Sequence, residues 1–151
     1  MNRTRHLLLI VFAAITAACS GMAQAQLVSE EEAADSRAAP ERFAAKAIPA
    51  PDAPRIRVVA PNVSNPVASP TQIQVQFQPT SPALIRPETF RVLYGSFRID
   101  ITDRITASSK VTAQGIDVAE AKLPKGSHKL FIEIQDSAGR TGQSPLQFVV
   151  E

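Results

Sequence analysis

The sequence is poor in the residues that make covalent cross-links and aromatic binding platforms. It has no tryptophan, one tyrosine and one cysteine among its 151 residues. A single cysteine cannot form an internal disulfide, and together with only two histidines it falls short of the four ligands of a structural zinc site. Scarce flat aromatic side chains also disfavour carbohydrate binding by ring stacking. The sequence therefore predicts a domain held together by its apolar core, and we expect no cofactor.

The N-terminal segment has the order of residues found in an export signal. A basic start precedes an apolar run over residues 7–18 in which Thr16 is the one polar residue, and the small residues Ala23 and Ala25 stand just before Gln26. The apolar run is shorter than the roughly 20 residues that a membrane-spanning helix needs. We therefore predict a secretory signal peptide over residues 1–25, with export to the periplasm or the cell surface.

Cys19 offers a second way to process this segment. The stretch Thr16-Ala17-Ala18-Cys19 resembles a bacterial lipoprotein box, in which the cysteine is acylated and becomes the new N-terminus. Small residues before the cysteine fit that pattern, whereas Thr16 stands where an aliphatic residue is usual. Soluble export and lipidation at Cys19 both stay open, and the lipid is the only membrane attachment that we predict.

The excess of positive charge belongs to the export segment. Removal of Arg3 and Arg5 lowers the count of Lys plus Arg from 16 to 14, which equals the count of Asp plus Glu. The neutral remainder has no field that would draw it to a polyanion, so we predict no nucleic-acid partner.

Residues 26–54 are rich in alanine, proline and acidic side chains and poor in β-branched residues. Such a composition buries too little apolar surface to offset the entropy lost when the chain is ordered. Residues 30–46 have the residue types of a frayed helix, which is marginal without a partner. We therefore predict a disordered tether over residues 26–54.

Apolar and polar residues alternate without a fault over residues 72–78. In a strand, Ile73, Val75 and Phe77 point to one side and the glutamines between them to the other. This two-residue period is typical of a strand with one face buried in the core and the other exposed to solvent. Strict alternation favours an antiparallel sheet that is covered on one side only. Other short strands are predicted at residues 56–60, 90–94, 97–101, 116–121, 129–135 and 146–150, with a single turn near residues 84–88 and a helical turn as the alternative just after residue 101.

The end of the chain has a recognisable succession of turn, strand and loop. The turn Leu123-Pro-x-Gly leads into an alternating strand at residues 130–134, and the loop Asp136-x-x-Gly139 leads into the last strand. This succession resembles the final hairpin of bacterial immunoglobulin-like and fibronectin-III-like extracellular modules. The resemblance implies an all-β fold, an immunoglobulin-like antiparallel β-sandwich of about seven strands over residues 55–151. It implies no activity, because such modules serve many roles.

Patterns for catalysis and metal binding are weak. After export His128 is the only histidine, and it stands at a strand entrance where a half-exposed imidazole is ordinary. No serine lies in a nucleophile elbow that such a histidine could serve. The acids that could bind calcium lack the spacing of a calcium loop; they are Asp100, Asp103, Asp117 and Asp136. We therefore predict that the protein is not an enzyme and holds no metal.

Arg86, Arg91, Arg98 and Arg104 recur every five to seven residues around the third and fourth predicted strands. They are candidates for one basic face that binds an acidic partner, although such a series is also typical of a solvated face that discourages edge pairing. Phe131 falls on the opposite parity to its apolar neighbours, which places it outside or under a loop. The predicted interaction surface consists of these four arginines and Phe131.

The function that fits these features best is that of a non-catalytic exported protein of the cell envelope. We predict an accessory or protein-interaction module whose partner is another envelope protein. One alternative is a small anion- or sugar-acid-binding protein, which would gather the arginines on one concave face. Another is a hydrolase, which would need two carboxylates converging in a cleft.

Overall fold

Two four-stranded sheets face each other across the apolar core. The computed structural model describes residues 25–40 and 50–151. Their elements are β1 (Ala25–Gln26), α1 (Glu30–Ala38), β2 (Arg55–Ala60), β3 (Thr71–Gln78), β4 (Ile85–Tyr94), β5 (Ile99–Asp100), α2 (Thr102–Thr106), β6 (Gly115–Lys122), β7 (Gly126–Asp136) and β8 (Thr141–Val150). Sheet A has the strand order β1-β6-β3-β2, and sheet B has the order β5-β4-β7-β8.

The strand pairing confirms the predicted fold class. All pairings between the described long strands are antiparallel, and the two-residue β1 runs parallel to β6. Strands β2 to β8 are the seven strands of the sandwich. Strands β2, β3 and β6 lie in one sheet and β4, β7 and β8 in the other, as strands A, B, E and C, F, G do in an immunoglobulin-like sandwich, and the short β5 pairs with β4.

The dry faces of β3 and β7 meet in the core, as their alternation predicts. On β3 the buried residues are Ile73, Val75 and Phe77, and the ring of Phe77 lies 5.9 Å from the ring of Phe90 on β4. On β7 every second residue is buried from His128 to Asp136. Each large apolar side chain withdrawn from water in this way contributes about 1.5–3 kcal/mol to folding.

The region around β4 and β5 differs from its prediction. The predicted fourth strand is only Ile99–Asp100, because the residues before it form a turn in which Gly95 and Arg98 have φ angles of 67° and 52°. The helical alternative after residue 101 is correct, since α2 begins at Thr102. The predicted turn near residue 84 is wrong: β4 begins at Ile85 and includes Arg86, whose extended backbone is the one that Pro87 favours in the residue before it.

The prediction of a disordered tether is wrong for residues 26–40. Leu27 and Ala33 are fully buried and Val28 is 1 % exposed, so this segment contributes to the core of the sandwich. Backbone pairing adds to this anchoring, because the Leu27 N–H donates to the carbonyl oxygen of Lys122 on β6 at 3.1 Å. The apolar surface of the sandwich is thus the partner that an isolated alanine-rich helix lacks.

A capping box defines the start of α1. The Ser29 hydroxyl accepts a hydrogen bond from the Glu32 N–H at 3.1 Å, and the Glu32 carboxylate accepts one from the Ser29 N–H at 2.9 Å. These two bonds satisfy backbone donors that the helix itself leaves without acceptors. The sequence Ser29-x-x-Glu32 is therefore a local signal for this helix.

Residues 1–24 of the predicted export signal, including the predicted lipidation site Cys19, lie outside the described residues, and so do residues 41–49 of the predicted tether. In the part of the chain that is described, none of the helices has both the length and the apolar character needed to cross a bilayer.

Candidate interaction surfaces

Three of the four predicted arginines share the outer face of sheet B with Phe131. Arg86 and Arg91 lie on β4, opposite Gln135 and Glu133 of β7, and Leu93 lies opposite Phe131. The alternate residues of both strands are buried in the core, so these side chains point away from it. We call Arg86, Arg91, Arg98 and Phe131 the arginine face.

Acidic neighbours neutralise two members of the arginine face. Arg86 forms an ion pair with Glu88 at 2.8 Å, and Arg91 forms one with Asp100 at 2.8 Å. Hydrogen bonds from Thr102 and Arg91 lower the pKa of Asp100 to about 2, so this carboxylate stays ionised. Neither guanidinium therefore offers a free positive charge to an anion.

Arg98 instead lies over an aromatic ring. Its guanidinium carbon is 4.5 Å from the centroid of the Phe131 ring, and the Lys129 ammonium is 5.4 Å from the same centroid. Phe131 belongs to a row of apolar side chains across three strands, between Leu93 on β4 and Pro145 on β8. The half-buried Phe131 is thus covered by cationic side chains, which gain a cation–π interaction from it.

Arg104 lies apart from the arginine face and holds the N-terminal segment in place. Its guanidinium donates to both carboxylate oxygens of Glu32, at 2.7 and 2.8 Å, and to the carbonyl oxygen of Leu27 at 3.0 Å. The hydrogen bond from Arg104 is the largest cause of a fall in the pKa of Glu32 to about 2. The four arginines are therefore not brought together on one surface.

His128 is not half-exposed as the sequence suggested but 1 % exposed. Its Nδ1 lies 2.9 Å from the Tyr94 hydroxyl, and its Nε2 lies 2.7 Å from the Pro124 carbonyl oxygen. The tautomer that satisfies both contacts carries its proton on Nε2 and accepts the tyrosine O–H at Nδ1. Burial lowers the pKa of His128 and raises the pKa of Tyr94 to about 12, so both groups stay neutral at neutral pH. The imidazole is a buried structural group.

Three of the four carboxylates considered for metal binding, those of Asp100, Asp117 and Asp136, already accept hydrogen bonds from other residues. Asp136 is fully buried and accepts from the N–H groups of Ala138 and Arg140 and from the Arg140 guanidinium, at 2.8 to 3.0 Å. Its burial opposes ionisation, but the bonds from Arg140 and Ala138 outweigh burial and lower its pKa. Over residues 25–40 and 50–151, no three His, Cys, Asp or Glu side chains are grouped as metal ligands.

The outer face of sheet A carries a second polar surface. The glutamines of β3 point outward because the residues between them are buried, and Arg55 and Arg57 of β2 lie directly opposite Gln78 and Gln76. Ile56 and Val58 pack against the core, so both arginines are also directed outward. We define the glutamine face as Arg55, Arg57, Gln74, Gln76, Gln78 and Lys110.

A groove of about 820 Å³ lies along the glutamine face. Its lining includes Gln74, Gln76 and Gln78 from β3, Lys110, Thr112 and Gln114 from the loop before β6, and the exposed Leu84. Gly115 lets that loop approach β3, because a Cβ atom there would collide with the Val75 carbonyl oxygen and its φ of 149° suits glycine. The Phe77 N–H then donates to the Gln114 carbonyl oxygen at 2.9 Å. The groove thus combines amide, hydroxyl and ammonium groups with an apolar end.

Sequence reasoning missed Arg55, Arg57 and Lys110. Arg55 and Arg57 alternate with the apolar residues Ile56 and Val58, so their outward direction could be predicted. Their position beside the glutamines depends on the pairing of β2 with β3, which a single sequence does not specify. Lys110 lies in a loop, where no periodicity places a side chain.

Comparisons with known proteins give little further guidance. No protein-family model matches the chain. No curated protein matches it. Among solved structures, CopC from Methylosinus trichosporium OB3b is similar at a TM-score of 0.43 and 14 % sequence identity, covering 64 % of this chain and 93 % of that one. A likeness this distant carries no argument about function.

Proposed function

We propose that this protein is a non-catalytic interaction module of the cell envelope and that it binds its partner through the glutamine face. One observation carries the proposal: three cations without acidic partners and three amides without side-chain hydrogen bonds share the glutamine face, and Lys110 and the three amides line an open groove along it. Within the described residues, no ion pair involves Arg55, Arg57 or Lys110. Exposed polar side chains that have no partner within the described residues, beside an exposed apolar residue, can form hydrogen bonds and ion pairs with a partner surface.

The arginine face supports a binding role less well. Two of its arginines already hold acids of the same surface, so an incoming anion would have to displace Glu88 and Asp100. Exposed pairs of this kind contribute only about 0–1 kcal/mol, but they still cancel the local charge. The smaller net charge makes the arginine face a poorer anion site than its composition suggests.

The hydrolase alternative gains no support from the positions of the acids. Asp136 is enclosed by the loop that it stabilises, and Asp100 is held by Arg91 and Thr102. Both have a lowered pKa, whereas a general acid needs a raised one. A non-catalytic role therefore remains the proposal that these side chains support.

The test compares proteins retained from an envelope extract by the wild-type chain and by two variants of equal charge. Arg55→Gln/Arg57→Gln removes two cations of the glutamine face, and Lys122→Gln/Lys125→Gln removes two exposed cations elsewhere on the surface. We expect one partner to be retained by the wild type and by the lysine variant and to be lost from the arginine variant. Retention of the same proteins by all three chains would contradict the proposal.

A further inference from the structure

The spacing of the glutamine face is that of an extended polypeptide. Gln74, Gln76 and Gln78 follow one another at every second position of β3, and Arg55 and Arg57 do so on β2. Successive outward positions of a strand are therefore about 6.6–6.8 Å apart. An extended peptide lying along the same direction presents its own alternate side chains and its backbone polar groups at that same repeat.

The glutamine amides can bind a peptide backbone. A primary amide offers both a carbonyl acceptor and N–H donors, which is the pair of groups that each peptide unit requires. Within the described residues, Gln74, Gln76 and Gln78 have no side-chain hydrogen bond that would have to be broken first. By contrast, the amide of Gln72 is already held by the Asp117 carboxylate at 2.9 and 3.1 Å.

The charges of this surface select an acidic occupant. Arg55 and Arg57 are exposed and lie across from Gln78 and Gln76, and Lys110 lines the groove. Asp117 is the only carboxylate in the lining; it lies opposite Gln74, whereas Arg55 and Arg57 lie opposite Gln78 and Gln76 further along β3. A segment with carboxylates at every second residue would place them at the repeat of the two arginines.

Building on the function proposed above, we propose that the glutamine face binds an extended acidic segment of a partner protein. Its carboxylates pair with Arg55 and Arg57, and its backbone lies along the glutamines of β3. The periodicity favours a polypeptide over an acidic polysaccharide, and flat aromatic side chains for sugar stacking are scarce in this chain. This mode of binding uses side chains of a sheet face and leaves the strand pairing of sheet A intact.

The experiment measures binding of defined peptides to the purified protein by isothermal titration at low and at moderate salt. The probe is a synthetic peptide in which glutamate alternates with serine. One comparison peptide has the same composition with all glutamates grouped at one end, and another has glutamine in place of glutamate. Polygalacturonate and inorganic phosphate serve as a polysaccharide and as a simple anion.

We expect the alternating peptide to bind more tightly than every other probe. Arg55→Gln/Arg57→Gln should weaken its affinity by about tenfold, the sum expected for two partly exposed ion pairs. Gln76→Ala should weaken it less, and Lys122→Gln/Lys125→Gln should leave it unchanged. Circular dichroism of each variant confirms that these exposed substitutions keep the fold.

Failure of this inference can be told apart from failure of the proposed function. Absence of binding by the alternating peptide, or equal binding of the grouped peptide, overturns the inference. Tighter binding of polygalacturonate or phosphate that depends on Arg55 and Arg57 overturns it in favour of another anion. In each of these cases the proposed function is tested separately. It is supported if retention of an envelope partner depends on Arg55 and Arg57, and it is contradicted if retention does not depend on them.

Discussion

The buried pair of His128 and Tyr94 makes the stability of the protein depend on pH. Burial lowers the pKa of His128 below the value of about 6.5 that an exposed imidazole has in the unfolded chain. The unfolded state therefore binds the proton more readily than the folded state does. Stability is fully present above about pH 6.5 and is lost as the pH falls towards the lowered pKa of the folded protein.

We expect the free energy of unfolding, measured in urea, to fall by as much as about 1.4 kcal/mol per pH unit as the pH is lowered from about 6.5 towards the lowered pKa of His128. His128→Asn removes the titrating group and should flatten this dependence, whatever it does to stability at neutral pH. Glu32 and Asp100 have pKa values of about 2 in the folded protein, so their own contribution to stability is lost only below about pH 5, where the unfolded chain begins to protonate these carboxylates. An equally steep dependence in the variant would contradict the assignment to His128.

The place of a residue in the alternation of its strand predicts the burial of its side chain better than its residue type does. His128 and Asp136 share the parity of Leu130, Ile132 and Ile134 on β7, so their burial could be predicted from alternation alone. Interpreting His128 by its place at a strand entrance gave the wrong exposure. The parity of Phe131 predicts a place outside or under a loop, and its ring lies on the outer face beneath Arg98. Its cover by Arg98 could not be foreseen, because it depends on the turn before β5.

The contact between α1 and α2 is the element-scale feature with the clearest energetic role. Glu32 and Arg104 form a two-pronged ion pair that joins the N-terminal segment to the sandwich. The side chain of Glu32 is 22 % exposed and that of Arg104 is 42 % exposed, so solvent screens part of their attraction. We therefore expect a coupling of about 1 kcal/mol between them.

A double-mutant cycle with Glu32→Gln and Arg104→Gln measures this coupling from urea unfolding. Each single substitution should destabilise the protein, and the double variant should lose less than the sum of the two. Hydrogen exchange at the Leu27 amide, which is bonded to β6, should quicken in each variant. Strictly additive losses would show that Glu32 and Arg104 act independently.

Elements with strict alternation could be predicted, and those that depend on distant contacts could not. Strands β3 and β7 were predicted within a few residues of their bounds, because one face of each is dry over its whole length. α1 was missed as an ordered helix because its alanine-rich sequence has little apolar surface of its own. Its order comes from burial of Leu27, Val28 and Ala33 against residues far away in the chain.

The two outer faces of the sandwich differ in whether their arginines form ion pairs with neighbouring acids. On sheet B, acids pair with Arg86 and Arg91 and cancel their charges, whereas on sheet A Arg55 and Arg57 lie opposite neutral glutamines and form no ion pair within the described residues. The sequence places arginines at regular intervals on both, so composition does not separate the faces. The two faces are distinguished only by the cross-strand neighbours of their arginines. For that reason we assign the proposed function to the glutamine face and not to the predicted arginine face.

At the scale of the whole molecule, the folded unit is larger than the predicted domain of residues 55–151. The N-terminal segment fills part of the core, and its removal would expose apolar surface beneath Leu27 and Val28. Each such side chain contributes about 1.5–3 kcal/mol when buried, so we expect residues 55–151 alone to be several kcal/mol less stable than the chain from Gln26.

The fragment of residues 55–151 should unfold at a lower urea concentration than the longer chain and be digested faster by a protease. Adding a peptide of residues 26–40 should restore part of the lost stability, because the peptide can rebuild the same contacts. Equal urea midpoints for the fragment and the longer chain would mean that this segment packs on the sandwich without stabilising it.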